Sequence, residues 1–157
     1  MAGRNLSDVM VPSIDDLQSW ANDEDLACTN LTEIFAAIQS EQEELVNWAT
    51  EALENMGPPL KSDIVWLGEI ASNDSPDVIY WAVTLLGRSE DSIDSVQDAL
   101  TRVFVAAKST PTNRRRAILA LAKVLTRNSN TELAIQSALN SDDSQLVSVA
   151  KEILQSV

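Results

Sequence analysis

Apolar residues along this chain recur at intervals of three and four, the spacing that gathers them on one face of a helix. In "LVNWATEAL" (45–53) they fall at Leu45, Trp48, Ala49, Ala52 and Leu53. The pattern returns in "VIYWAVTLL" (78–86), "RRRAILALA" (114–122) and "LVSVAKEIL" (146–154), at offsets of 33, 36 and 32 residues. A short polar turn precedes each copy: "SEQEE" (40–44), "NDSPD" (73–77), "STPTN" (109–113) and "SDDSQ" (141–145). These turns hold the Ser, Asp, Asn and Pro that stop one helix and cap the next. Pro76 and Pro111 stand where a helix begins, the place at which a missing N–H matters least. Upstream of each turn lies another apolar segment, at 31–39, 61–71, 93–107 and 130–139. No segment shows the two-residue alternation of a strand. The pattern predicts an all-α chain of four helix-turn-helix units.

A two-helix unit cannot bury its apolar stripe alone, so neighbouring units must stack and share a core. Ala49, Ala82 and Ala150 occupy one equivalent place, which predicts a close helix–helix approach there. Trp48 and Trp81, in the adjacent place, are expected to pack between units rather than to stack on a ligand.

The pattern resembles the HEAT repeats, particularly the short form found in bacterial repeat proteins. The likeness is best in "SNDSPDVIYWAVTLLG" and "STPTNRRRAILALAKVL", and it extends over roughly residues 31–157. It implies a right-handed α-solenoid of about four units (about 31–57, 58–88, 89–127 and 128–157), with the second helices lining the concave surface. Armadillo and TPR readings stay open, although the aromatic and Pro spacing of the TPR is missing. The family often places an Arg just after the Val of the second helix, forming a ladder. The matching positions here are Val46, Ile79, Arg115 and Val147, so one unit keeps it. Stacking is therefore expected to rest on apolar burial. Residues 1–30 fall outside the repeat. "SIDDLQSWAN" (13–22) has a Ser cap, early acids and apolar Ile14, Leu17 and Ala21, predicting a short helix that caps the first unit. Residues 1–10 are expected to be loose.

Composition narrows the function. The 157 residues carry 24 acids against 11 bases, a net charge of −13. A protein that neutralises phosphates needs a dominant basic face, so free nucleic acid is not the expected ligand. No N-terminal stretch has the form of a signal peptide and no apolar run is long enough to span a membrane, so a cytoplasmic location is expected. On that reading, "NLS" at 5–7 and "NLT" at 30–32 match the glycosylation pattern by chance.

The chemistry that the chain lacks is as informative. It has no histidine, hence no usual general base, no Ser-His or Cys-His pair and no histidine metal ligand. Its single cysteine, Cys28, excludes an intrachain disulfide and the common zinc sites. Cys28 lies beside an acidic run, which raises a thiol pKa and argues against a reactive thiolate. Asp15–Asp16 and Asp142–Asp143 read as helix caps rather than acid/base pairs. Glu41, Glu43 and Glu44 lack an EF-hand context, and the four glycines form no phosphate loop. The expectation is a non-enzyme with no cofactor and no metal.

Charge is distributed unevenly. Residues 1–57 hold twelve acids against one arginine, a net of −11. Residues 58–101 carry −6 and residues 102–157 carry +4. In that basic part Arg116, Lys123 and Arg127 share one side of a helix, with Ala120 between them, while Ile118, Leu121 and Leu125 face the core. If the second helices line a groove, as the resemblance implies, these three bases meet a partner there. The functional expectation is a protein-protein interaction module or scaffold that binds a protein segment, an acidic one in particular, on its concave surface. The alternatives are a structural subunit associating head to tail, or an enzyme of the HEAT-like glycosylase or lyase kind. The glycosylase reading conflicts with the charge, and no residue motif supports the lyase.

Overall fold

The computed structural model describes residues 6–73, 75–89, 94–106, 109–122 and 128–155. Among these the chain is all-α, without strands. A 3-10 turn at Leu6–Asp8 precedes α1 (Ile14–Ala21), α2 (Glu24–Thr29), α3 (Leu31–Ile38) and α4 (Glu43–Asn55). A second 3-10 turn, Lys61–Asp63, leads into α5 (Ile64–Ile70). Then follow α6 (Pro76–Ser89), α7 (Asp94–Val105), α8 (Pro111–Ala122), α9 (Ser129–Ala138) and α10 (Ser144–Gln155). None of the described helices is long and apolar enough to cross a membrane.

Local chemistry accounts for where these helices begin. Ser13 Oγ accepts from the Asp16 N–H at 3.1 Å, and Asn128 Oδ1 accepts from Thr131 N–H at 2.9 Å. Asp143 Oδ1 accepts from Gln145 N–H at 2.9 Å, and Thr110 Oγ1 from Asn113 N–H at 3.1 Å. Each satisfies an orphan donor of a first turn. Pro76 and Pro111 are first helical residues, as their turns predicted.

The sequence pattern did not announce α2. Its six residues are too few for a periodicity to stand out, yet Asp23 Oδ1 caps it through Asp25 and Leu26 N–H at 3.0 and 3.2 Å. Asn30 then ends α2 and starts α3 at once, with a φ of −110°. The expectation that residues 1–10 are loose needs correction at Leu6–Asp8, while residues 1–5 lie outside the described residues. Leu6 is buried, and its 3-10 turn packs against α3.

The chain forms two compact units, Met1–Trp66 and Leu67–Val157. In the first, α4 packs against α1, α2 and α3. Its core holds the fully buried Leu17, Leu31, Ile34, Phe35 and Leu53. Phe35 meets Trp66 edge-on, with ring centroids 5.6 Å apart. In the second, α8 packs against α6, α7 and α10, while α9 packs against α7 and α10. Leu67, Leu85, Leu86, Leu100, Ile118, Leu121 and Ile135 are fully buried there. Ala49, Ala82 and Ala150 are each at 0% exposure, in keeping with close approach at that place. Trp81 is buried, whereas Trp48 stays half-exposed.

Helix packing within each unit does not rest on apolar burial alone. In the first unit Asn55 Nδ2 donates to Ala21 O at 3.1 Å and the Gly57 N–H donates to Glu24 Oε1 at 2.9 Å. In the second, Asn113 Nδ2 donates to Pro76 O at 3.0 Å, and the Asn128 N–H to Gln97 Oε1 at 2.8 Å. These contacts join residues 31–37 positions apart, close to the repeat offsets. They meet the backbone groups that each turn leaves unpaired, which apolar packing cannot do.

Candidate basic face on helices α6, α8 and α10

α8 opens with three consecutive arginines, and the fold gives each a different surrounding. Arg114 stands where the other three copies of the template have an apolar residue. Its Nε and Nη2 both donate to Ala106 O, at 3.2 and 2.8 Å, closing the carboxyl end of α7. That is a structural role, since basic side chains favour exposed terminal carbonyls. Arg115 is exposed. Arg116 is half-buried: its Nη2 donates to Tyr80 Oη at 2.6 Å, and the guanidinium carbon lies 4.9 Å from the Tyr80 ring centroid.

Tyr80 is part of a larger aromatic cluster. Its ring meets Trp81 edge-on at 5.1 Å and 88°. Arg88, in the last turn of α6, sets its guanidinium 6.0 Å from the Trp81 centroid. Two cations, from α6 and α8, are thus steadied by two rings that brace each other. Between α6 and α8 is a pocket of about 150 Å³, with Thr84, Gly87, Arg88, Arg116 and Leu119 among its walls. A second cleft, of about 300 Å³, lies beside it, bounded by Thr112, Arg115, Arg116, Leu119 and Gln145 of α10. Leu119, 38% exposed, borders both. Among the described residues neither Arg115 nor Arg116 pairs with a carboxylate. A third cleft, of about 320 Å³, has largely apolar walls from Ile79, Val103 and Val105, with Arg102 at its edge.

Of the three bases expected to share a stripe, Arg116 is on this face, while Lys123 and Arg127 lie outside the described residues. Ala120 does not lie in the open between them. It is buried, and a Cβ added to Gly87 would come within 3.1 Å of its own. α6 and α8 approach closely at this point, which turns Ala120 inward and leaves Arg116 and Leu119 at the rim. Sequence reasoning missed Tyr80, Arg88 and Leu119 as members of the face. A signal for Tyr80 was present: it is the third residue of "VIYWAVTLL" and Arg116 the third of "RRRAILALA". The two positions lie 36 residues apart, the offset between those two copies of the template.

Elsewhere the chemistry is sparse. Among the described residues no group of His, Cys, Asp and Glu could hold a metal ion. Cys28 is buried, and its Sγ is 3.7 Å from Pro58 O. Burial first, then the charges of Glu24, Asp25 and Asp63, push the thiol above its ordinary value of 9.0. The folded chain therefore holds this proton at a pH where the unfolded chain releases it. The associated stabilisation is complete below 9.0 and is lost as pH rises through the higher folded value. Native protein at pH 8 is expected to react with iodoacetamide at least tenfold more slowly than denatured protein, because thiolate and access are both scarce. Equal rates by mass spectrometry would contradict the burial.

No family model matches the chain, and no curated protein or solved structure is significantly similar to it.

Proposed function

We propose that the chain is a non-enzymatic, HEAT-like helical-repeat module whose α6–α8–α10 face binds an acidic protein segment. Two packing features support the repeat reading. Alternate helices pack on one another (α6 on α8, α8 on α10, α7 on α9), and polar contacts recur close to the repeat period. One observation carries the function: Arg115 and Arg116 have no carboxylate partner among the described residues, in a chain where acids outnumber bases 24 to 11. Pairing within the chain would have been easy to supply. Leaving guanidinium groups unpaired beside an exposed leucine suits a ligand that brings both negative charge and an apolar side chain.

The test is Arg115→Glu with Arg116→Glu, assayed by fluorescence anisotropy with a labelled peptide of alternating glutamate and leucine. Melting is expected to fall by no more than a few degrees, because the Tyr80 contact contributes about 0.5–1 kcal/mol at a partly exposed site. Peptide affinity should drop at least tenfold at low salt and less at high salt. Affinity unchanged at every salt concentration would leave the face merely solvated. An early melt would make it structural.

A second reading, head-to-tail self-association, is favoured by the contrast between −11 over residues 1–57 and +4 over residues 102–157. Light scattering through a salt series separates the two. Chain-to-chain attraction of this kind weakens as salt is added, whereas a monomer scatters alike throughout.

A further inference from the structure

We infer that the cleft between α8 and α10 selects a phosphorylated side chain of the bound segment, held by Thr112, Arg115 and Arg116. This rests on the binding-face reading and names the group that the face would recognise.

Thr112, Arg115, Arg116 and Leu119 stand at i, i+3, i+4 and i+7 of α8, the spacing of one helix face. All four line this cleft, together with Pro111 and with Gln145 of α10. Pro111 and Thr112 lie in the first turn, where the helix dipole is positive and no acid offsets it. The acid that caps α10, Asp143, is engaged by the Gln145 and Leu146 N–H groups at 2.9 and 3.4 Å. Tyr80 holds the Arg116 guanidinium through one of its five N–H donors, and four remain for a ligand. A long side chain already ordered in this way loses less freedom when a ligand arrives.

Charge and shape then distinguish the ligands. A carboxylate offers two oxygens and one charge, which a single guanidinium fork satisfies. A phosphate monoester offers three oxygens and close to two charges, which two guanidinium groups and a hydroxyl match. The volume of about 300 Å³ equals roughly ten waters at ~30 Å³ each, enough for a phosphorylated side chain and part of a neighbouring one. Leu119 lies one turn beyond Arg115, about 6 Å along the helix axis. Residues i and i+2 of an extended segment share a side and are roughly 6–7 Å apart. An apolar residue two positions from the phosphorylated one therefore reaches Leu119. The net charge of −13 does not cancel this site, because exposed acids beyond about 8 Å are screened at physiological salt.

The experiment uses the full chain and three labelled acidic peptides with leucine two positions either side of a central phosphoserine, glutamate or serine. Phosphoserine is expected to bind about tenfold more tightly than glutamate, as two charge-assisted forks replace one. Arg115→Lys keeps the charge but loses the fork, and should remove most of that preference. Thr112→Val keeps the shape but loses the hydroxyl, and should reduce the preference about threefold with melting unchanged. Alanine in place of both leucines should weaken the phosphopeptide about fivefold. Equal affinity for phosphoserine and glutamate, or a preference that survives both substitutions, overturns the inference yet leaves an acidic-segment face standing. Failure of all three peptides to bind removes both. A labelled oligonucleotide that binds as tightly as the phosphopeptide would also overturn it, since the face would then read phosphate without a protein segment.

Discussion

Phe35→Ala is expected to lower stability by about 3–5 kcal/mol, the range for deleting a buried aromatic ring. Phe35 is at 0% exposure on α3, a helix whose Ile34, Ala36, Ala37 and Ile38 are buried with it. Its edge-on contact with Trp66 adds a directional term that no aliphatic replacement restores. The surrounding side chains are themselves fully buried, so the space cannot fill by small shifts, and a cavity remains. In a chain of this size each kcal/mol moves the melting temperature by roughly 2–4 °C. The drop should therefore be on the order of 10 °C by circular dichroism. Val65→Ala is the control: Val65 is 61% exposed, and its truncation should change stability by less than about 0.5 kcal/mol. Equal effects at the two positions would show that Phe35 is not in a packed core.

Ala82→Leu tests the opposite fault, too much volume. Ala82 lies on α6, the helix that packs against α8, and is completely buried. Three added carbons have no room, so either the side chain leaves its preferred rotamers or the helices part. Overpacking of this kind costs about 1–3 kcal/mol. The same residue added at Gln136, on the exposed side of α9, should be tolerated within about 0.5 kcal/mol. Should Ala82→Leu melt with the parent chain, the position is not a close contact and the template's register is wrong.

Helix content and most helix starts could be read along the chain because they depend on residues within one turn of each other. Ser13, Asn128 and Asp143 cap through N–H groups two or three residues on. Pro76 and Pro111 mark first turns for the same local reason. The apolar template likewise announced most of the buried residues described in its four copies, from Leu45 to Ala150, with half-exposed Trp48 the exception. Where the local signal was short, at α2 and at Leu6, the reading failed. Six residues or fewer cannot display a period of 3.6.

The sequence by itself determined an all-α chain, its turns, its buried stripe and the absence of histidine chemistry. Tertiary structure decided which side chains meet across helices. The approach of Gly87 to Ala120 turned one expected rim residue inward. The 36-residue step from Tyr80 to Arg116 made a stacked, hydrogen-bonded pair. Three adjacent arginines became a helix cap, an exposed cation and a braced guanidinium. Periodicity fixes the angle of a residue about its own helix axis. It does not fix the distance or rotation of the next helix, which follow from ridge-and-groove packing between surfaces. Those two quantities set the basic face.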